Sequence, residues 1–373
     1  MDLCSAFPMA RAGGHRTVHA LLRRLAQASD TDCLCVFPRR GQGSQLPGYD
    51  PGLADFEALG IRSVTCETDR WVFDCGYPLW AMRHLEAEHV AQVMDECIAR
   101  FSPDVVWSNS YRSLPVLRAA VERNLNAFWY VQDARPHATD LREAADLGVR
   151  MAAVSRFIAH RVQRYAAEDC RTIYPLIDER EYLVPAGARE PGSARFVTLI
   201  NPRPVKGFDI FLGIPALLPQ VAFLVVEAWP LGDELSNVHR ALAAMPNVRF
   251  LRQQADAREI YRQTRLLLVP SVVEEGGPRV IREAQLNGIP VLGSPRGGVP
   301  EMIGNGGEII DDYENPQAWA NTIRAILSDA SRYESLCRSA LENAGREALS
   351  SEWIVRNFRE VCRQPLSAPV CVE

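Results

Sequence analysis

Lysine is almost absent from this chain. Of its 41 basic residues only Lys206 is a lysine, and the rest are arginine. The 373 residues contain no CxxC pair and no Cys/His cluster with zinc spacing. The ten cysteines therefore read as reduced, mostly buried thiols of a cytosolic enzyme, not as a disulfide framework or a metal cage. No stretch approaches the ~20 apolar residues of a membrane span. The opening MDLCSAFPMARAGGHR has no charged region followed by a long apolar one, so no signal peptide is expected. Peripheral contact with a membrane is left open. There is no excess of positive charge either: the net charge of −5 gives no global field that would attract nucleic acid. Repeats and low-complexity tracts are missing, as is the GxGxxG pattern of a dinucleotide site.

What is present is ordinary in amount and regular in order. A chain 47% hydrophobic and 23% charged is that of a globular protein, and its length suits two domains. Short apolar runs alternate with helical stretches. In the first half the runs are 2–7, 32–38, 103–109, 127–133, 150–155 and 171–177, with a helix expected over 15–28. The Pro- and Gly-bearing stretch 178–194 reads as a linker. The rhythm restarts with runs at 195–201, 221–228, 248–251, 265–271, 290–294 and 307–310, and the tail is helical. The βαβ order predicts α/β architecture: two tandem Rossmann-like, doubly wound domains, residues 1–180 and 195–345, facing a cleft. Ligands of such sheets bind at the carboxyl ends of the strands.

Three loops at such ends carry candidate chemistry. The first is SVVEEGGPRVIREAQLNG, residues 271–288. Pro278 suits a first helical position and Gly288 the left-handed residue after a helix, so a helix is expected over 278–287. Its start offers backbone N–H groups near Gly276, Gly277, Pro278 and Arg279, where glycines let an anion such as a diphosphate approach. Glu275 and Glu283 flank that start and can accept hydrogen bonds from hydroxyls. Hydroxyls on both sides of a diphosphate describe a nucleotide sugar; a Gly-Pro turn with two solvated acids is the plainer reading. The second loop, INPRPVKGFDIFL (200–212), places Arg203 and Lys206 after a strand, where two cations could neutralise a diphosphate or simply lie on the surface. The third is Gly13–Gly14.

Taken in order, these pieces resemble a family. E275-G-G-P-R-V-I-R-E283-A, followed by N-G-I-P-V-L-G-S and G-G-V-P-E, resembles the E-x7-E signature of retaining GT-B glycosyltransferases of group 1, family 4. PRPVKG resembles the family's R…K-G loop and ARAGGHR its first glycine loop. AVSRF and YPLID are similar to stretches near the end of the family's first domain, and SEWIVRNF to a helix, here 346–365, that crosses back to that domain. The resemblance implies a donor domain at 195–345 and an acceptor domain at 1–180. It implies that Glu283 binds the ribose, Glu275 the donor sugar, and the backbone of Gly276–Arg279 sugar and phosphate oxygens. Arg203 and Lys206 would clamp the diphosphate as it leaves, and Gly13 and Gly14 would admit donor and acceptor. No metal or cofactor is implied, and no DxD-type acidic pair stands in a suitable loop. The implied activity is metal-independent transfer, with retention, from a nucleotide sugar to a saccharide, a lipid-linked glycan or a small molecule, in the cytoplasm or at the inner membrane face. Partners are the nucleotide sugar and the acceptor.

Two positions depart from the family pattern. Where many members end the fourth strand with histidine, this chain has Gln132 and Asp133, with His137 four residues beyond Asp133; Asp133 and His137 are candidates for contact with acceptor or sugar. Arg252 stands where a glycine is usual in the loop expected to form the base pocket. His15 and His19 have metal-pair spacing on a helix but no third ligand. Trp71 and Trp80 are candidates for an acceptor surface, since flat aromatic faces suit sugars. The competing readings are a nicotinamide-dependent oxidoreductase on tandem Rossmann-like domains, which the missing GxGxxG opposes, and a non-catalytic sugar-nucleotide-binding protein.

Overall fold

The computed structural model describes residues 13–38, 61–67, 69–82, 89–109, 113–166, 169–185 and 194–364. The strand expected at 2–7 lies outside them. The chain forms two compact units, Met1–Leu176 with Ser351–Glu373, and Ile177–Ser350.

The first unit runs α1 (Gly13–Ala26), β1 (Cys35–Pro38), β2 (Arg62–Cys66), β3 (Arg70–Asp74), β4 (Pro78–Met82), α2 (Val90–Phe101) and β5 (Val105–Ser108). It continues with α3 (Leu114–Val121), β6 (Asn126–Val131), α4 (Ala138–Asp146), β7 (Arg150–Ala153), α5 (Arg156–Ala166) and β8 (Arg171–Thr172). Strands β5-β6-β7-β8 make one wholly parallel sheet. In the other sheet, β1-β4-β3-β2, only β1 and β4 are parallel. Strands β2, β3 and β4 pair antiparallel, a departure from the expected βαβ rhythm. The cause is a tight turn. Gly76 sits at φ +83°, its N–H donates to Asp74 Oδ1 at 2.8 Å, and the Cys75 N–H donates to the Tyr77 carbonyl at 3.1 Å. The helix Ser351–Arg363 belongs to this unit, with Phe358 packed edge-on against Trp107, Phe128 and Tyr130 at ring separations of 5.0, 5.1 and 5.7 Å.

The second unit runs β9 (Phe196–Ile200), α6 (Phe208–Leu212), β10 (Phe223–Val226), α7 (Leu235–Leu242), β11 (Val248–Leu251), α8 (Arg258–Gln263) and β12 (Thr264–Val269). There follow α9 (Arg279–Gln285), β13 (Val291–Gly293), α10 (Val299–Ile303), β14 (Gly307–Ile309), α11 (Pro316–Ser328) and α12 (Ala330–Ala344). Its six strands form one parallel sheet in the order β11-β10-β9-β12-β13-β14. Strands β9 and β10, FVTLI and FLVV, are buried at every residue. Near-continuous apolar runs of this kind, broken only by Thr198, whose hydroxyl pairs with Thr264, fit a parallel sheet covered on both faces. From β9 the chain winds outward through β10 to β11, then returns to place β12 on the other side of β9. The carboxyl ends of β9 and β12 are thus a topological switch point. Segment 178–184, read from the sequence as the start of a linker, is tied into this unit: Asn287 accepts from the Val184 N–H at 2.8 Å and donates to the Tyr182 carbonyl at 3.1 Å.

Candidate functional site

The loops after β9 and β12 meet at the switch point. Residues 204–206 form a single 3-10 turn, closed by Gly207 at φ +79°. A Cβ on Gly207 would lie 1.9 Å from the Pro270 carbonyl oxygen, so only glycine lets this turn rest on the end of β12. The Val272 N–H reaches back to the Val205 carbonyl at 3.2 Å. Lys206 is thereby aimed at the β12 loop, where its Nζ meets Glu275 Oε1 at 2.5 Å. The same oxygen accepts from Ser271 Oγ at 2.7 Å, and Ser294 Oγ donates to the Ser271 carbonyl at 2.7 Å. Both charged side chains are largely shielded, Lys206 at 20% and Glu275 at 13% exposure. The Lys206 ammonium also lies 5.2 Å from the centre of the Trp229 ring. Glu275 is fixed from behind by Gly297 and Gly298. It bridges to Gly297, and the Gly298 N–H donates to its carbonyl at 2.7 Å. A Cβ at either glycine would fall 2.4–2.5 Å from the backbone oxygens of Glu275 and Gly276.

The sequence expectation joined Arg203 to Lys206 as a clamp. In the structure Arg203 donates to Glu234 at 2.9 Å and to the Pro230 carbonyl at 2.6 Å, while its Nε is buried without an acceptor. Asn201, left-handed at φ +63°, accepts the N–H groups of Ala228 and Trp229 and binds the ends of β9 and β10 together. Buried Glu227 accepts from the Leu231 N–H at 2.9 Å and from Arg252 Nε at 2.5 Å, so Arg252 occupies its unexpected place as half of an ion pair. Trp229 and Glu227 were not picked out from the sequence. A tryptophan directly after a strand's carboxyl end was the available signal.

Helix α9 is shorter than expected. It spans Arg279–Gln285, and Pro278 is its N-cap rather than its first residue, because Pro278 holds the extended ψ of 105°. Gly276 and Gly277 precede it, and Gly288 takes the left-handed φ of +63° after it. Glu283 lies in the second turn and is buried, 7% exposed. Its Oε2 accepts from the Tyr261 hydroxyl at 2.6 Å and its Oε1 from Arg279 Nε at 3.3 Å. Arg279, also buried, donates to the Tyr182 hydroxyl at 3.2 Å. Burial and the neighbouring Glu283 carboxylate push the Tyr261 phenol well above its ordinary range. The i, i+4 spacing of Arg279 and Glu283 was a legible pair signal, whereas Tyr261 and Tyr182 gave none.

In the first unit Gly13 and Gly14 open helix α1 instead of forming a turn, and Thr17 Oγ1 donates to the Gly13 carbonyl at 3.0 Å. A Cβ on Gly14 would stand 3.1 Å from Gln132 Oε1, so the helix start and the end of β6 do meet. Asp133 follows half-buried. His137 is exposed at the N-cap of α4 and makes no side-chain cap bond. The pairing of Trp71 and Trp80 as an open acceptor face is corrected: Trp80 is buried, with the Arg70 guanidinium 4.8 Å above its ring. His19 pairs with the Tyr77 hydroxyl at 2.9 Å. Among the described residues no group of three or more His, Cys, Asp or Glu could hold a metal ion, and no helix is long and apolar enough to cross a membrane.

Residues 188–346 match the family model described as "Glycosyl transferases group 1", a span that lies wholly within the second unit. Spore coat protein SA of Bacillus subtilis is 34% identical over 146 residues, covering 35% of this chain and 39% of that protein. The D-inositol 3-phosphate glycosyltransferase of Corynebacterium kroppenstedtii is 32% identical over 121 residues, covering 32% of this chain and 27% of that protein. The chain thus spans well under half the length of these curated relatives. Whole-chain likeness comes from solved structures. Anabaena HepE in complex with UDP-glucose superposes with a TM-score of 0.72 at 19% identity, over 96% of this chain and 97% of that one. Sucrose-phosphate synthase from Thermosynechococcus elongatus does so with a TM-score of 0.74 at 15% identity, over 97% and 98%. These likenesses show the fold: α/β, with two Rossmann-like domains, as in GT-B glycosyltransferases.

Proposed function

We propose that this protein is a retaining glycosyltransferase that moves a sugar from a nucleoside-diphosphate sugar to an acceptor hydroxyl without a metal ion. The observation that carries the reading is the chain's only lysine, held at the switch point of the second unit against Glu275 and Ser271. The group 1 match over 188–346 and the UDP-glucose named for the Anabaena structure support the donor class.

In this reading the Lys206–Glu275 pair is the resting state of a donor site. A diphosphate takes over the ammonium and a sugar hydroxyl takes over the carboxylate, so neither charge is left unpaired when the donor enters. Lys206 is a compact point charge. It lowers the cost of the negative charge that grows on the leaving diphosphate, which favours the transition state over the ground state. The departing phosphate oxygen takes the acceptor's proton on the same face, which retains configuration. Arg203 begins the same turn and reaches the diphosphate by exchanging Glu234 for it, and the backbone around Gly276 and Gly277 lets the diphosphate oxygens come close. On this basis the protein works where nucleotide sugars are made, in the cytoplasm; the acceptor is a saccharide, a lipid-linked glycan or a small molecule.

The test is a thermal-shift panel of UDP-, GDP-, ADP- and dTDP-sugars, followed by transfer assays of Lys206→Ala and Glu275→Ala with and without EDTA. A donor that binds should raise the melting temperature. Each variant should lose transfer by at least about a hundredfold while staying folded, and EDTA should change nothing. Full turnover by either folded variant would refute the site, and a strict need for Mg²⁺ or Mn²⁺ would refute the metal-free scheme.

A further inference from the structure

We propose that Tyr261 is a positioning residue that orients the Glu283 carboxylate towards the ribose diol of the donor, and so makes the site prefer ribonucleotides over deoxyribonucleotides. The inference rests on the donor-site reading above and goes beyond it by naming what fixes Glu283 and what that fixing selects.

Glu283 is nearly sealed from water, yet its nearest cation, Arg279 Nε, is 3.3 Å away, a long contact for a charged pair. The short contact comes from a neutral group, the Tyr261 hydroxyl at 2.6 Å. Tyr261 is itself 1% exposed, at the C-terminal end of α8, and packs edge-on against Tyr182 with ring centres 6.4 Å apart. Tyr182 in turn accepts from Arg279 Nη2 and lies beneath its guanidinium, 5.7 Å from Cζ to the ring centre. Its backbone carbonyl is held by Asn287, whose amide also donates to the Glu283 carbonyl at 2.9 Å. The network therefore closes on itself: Tyr182 fixes Arg279 and Tyr261, and these two fix the opposite oxygens of Glu283.

The chemistry that follows is one of lone pairs. An ionised carboxylate offers about four acceptor sites. Tyr261 takes one on Oε2 and Arg279 one on Oε1, which leaves one on each oxygen. Two acceptors side by side on a rigid carboxylate match two adjacent hydroxyl donors, a vicinal diol. A nucleotide lacking its 2′-hydroxyl would leave one buried acceptor unmet, and a buried unmet acceptor is costly. Because the phenol is neutral, it orients the carboxylate without cancelling the charge that strengthens its bonds to hydroxyls. Arg279 alone could not do this at its present distance.

The experiment compares the binding of UDP, GDP and their 2′-deoxy counterparts to the full chain by calorimetry, for the native protein, Tyr261→Phe, Glu283→Ala and the double variant. Phenylalanine keeps the ring that packs on Tyr182 and removes only the hydroxyl. The expected result is a ribo-over-deoxy preference in the native protein that falls about tenfold in Tyr261→Phe, through weaker binding of the ribonucleotide alone. In turnover, the donor KM should rise while kcat holds. On the Glu283→Ala background the tyrosine change should add nothing, since it acts through that carboxylate. Equal weakening of ribo and deoxy forms would show a packing role and overturn the proposal, as would an undiminished preference in Tyr261→Phe. If none of these nucleotides binds the native protein, the donor-site reading fails first and this proposal with it.

Discussion

Gly207 is where the candidate site and the stability of the second unit depend on the same atom that is not there. An alanine at this position meets two separate penalties. The first is conformational: at φ +79° a side chain costs about 1–2 kcal/mol. The second is steric. The new Cβ would lie 1.9 Å from the Pro270 carbonyl oxygen and 2.6 Å from its carbon, both backbone atoms at the end of a central strand. Relief requires the 3-10 turn to lift away from β12, and forced displacement of this kind adds about 1–3 kcal/mol. Gly288 separates the two terms. It has nearly the same backbone, φ +63°, but its Cβ would meet the Leu341 side chain at 3.4–3.5 Å and the Cys337 carbonyl oxygen at 3.7 Å, all ordinary contacts. Gly288→Ala should therefore cost only the first penalty and Gly207→Ala both, about 2–5 kcal/mol in all. At about 3 °C per kcal/mol, the calorimetric transition of the second unit should fall by about 3–6 °C in Gly288→Ala and about 6–15 °C in Gly207→Ala. Lifting the turn also draws Lys206 from Glu275, so Gly207→Ala should lose donor binding at temperatures where it is still folded and Gly288→Ala should keep it. If Gly207→Ala melts no lower than Gly288→Ala and binds donor normally, the turn does not rest on β12 as described.

Other expectations follow from single groups. Lys206 is the only side-chain amine in the chain, so pyridoxal phosphate followed by borohydride should label one internal position, identified by peptide mass. UDP or GDP should protect that position, and labelling that is indifferent to every nucleotide would place Lys206 outside the donor site. Hydrogen bonding from Arg359 holds the Asp30 carboxyl below its usual range, and Arg363 reaches the same group at 3.1 Å. A lowered carboxyl stabilises the fold above the unfolded value near ~3.9, and that contribution is lost as pH falls through the lower folded value. Asp30→Asn should flatten the acid limb of the first unit's stability, and an unchanged limb would show that the pair contributes nothing. Burial pushes the Cys33 and Cys97 thiols up to about 11 and those of Cys75 and Cys362 to about 12. At pH 8 the buried Cys33 and Cys97 should resist a thiolate-directed reagent until denaturant is added, with the half-buried Cys75 and Cys362 slower than a free thiol, and rapid native labelling of Cys33 or Cys97 would contradict its burial.

Much of this molecule could be read before it was seen, and the misses have physical causes. The strands of the second unit were legible because parallel strands buried on both faces are near-continuous apolar runs, as FVTLI and FLVV are. The observed strands are shorter than those runs because carboxyl-end residues such as Asn201 and Glu227, though their N–H groups still bond the neighbouring strand, turn their side chains to holding the loops. The sheet at 62–82 was missed because its antiparallel strands mix aromatic and charged residues, and Arg70 spends its charge on Glu96 and on the face of Trp80 rather than on water. Lys206 and Gly207 were legible as neighbours, but not the reason for the glycine, which lies 63 residues away in the Pro270 carbonyl. The acids were found and their settings were not. Glu275 and Glu283 read as a matched pair flanking one helix start, yet one is paired to an ammonium and the other is gripped by a phenol. That difference decides how each can serve a ligand. A carboxylate already holding an ammonium can exchange it for a hydroxyl as the cation turns to a phosphate, so in the proposed donor site Glu275 suits the part of the donor where charge moves. A carboxylate locked between Tyr261 and Arg279 has no such freedom, so in the same proposed site Glu283 suits a part of the donor that is only recognised. Chain spacing gave two equal acids; the side chains that long-range folding brings to them make one adaptable and the other rigid.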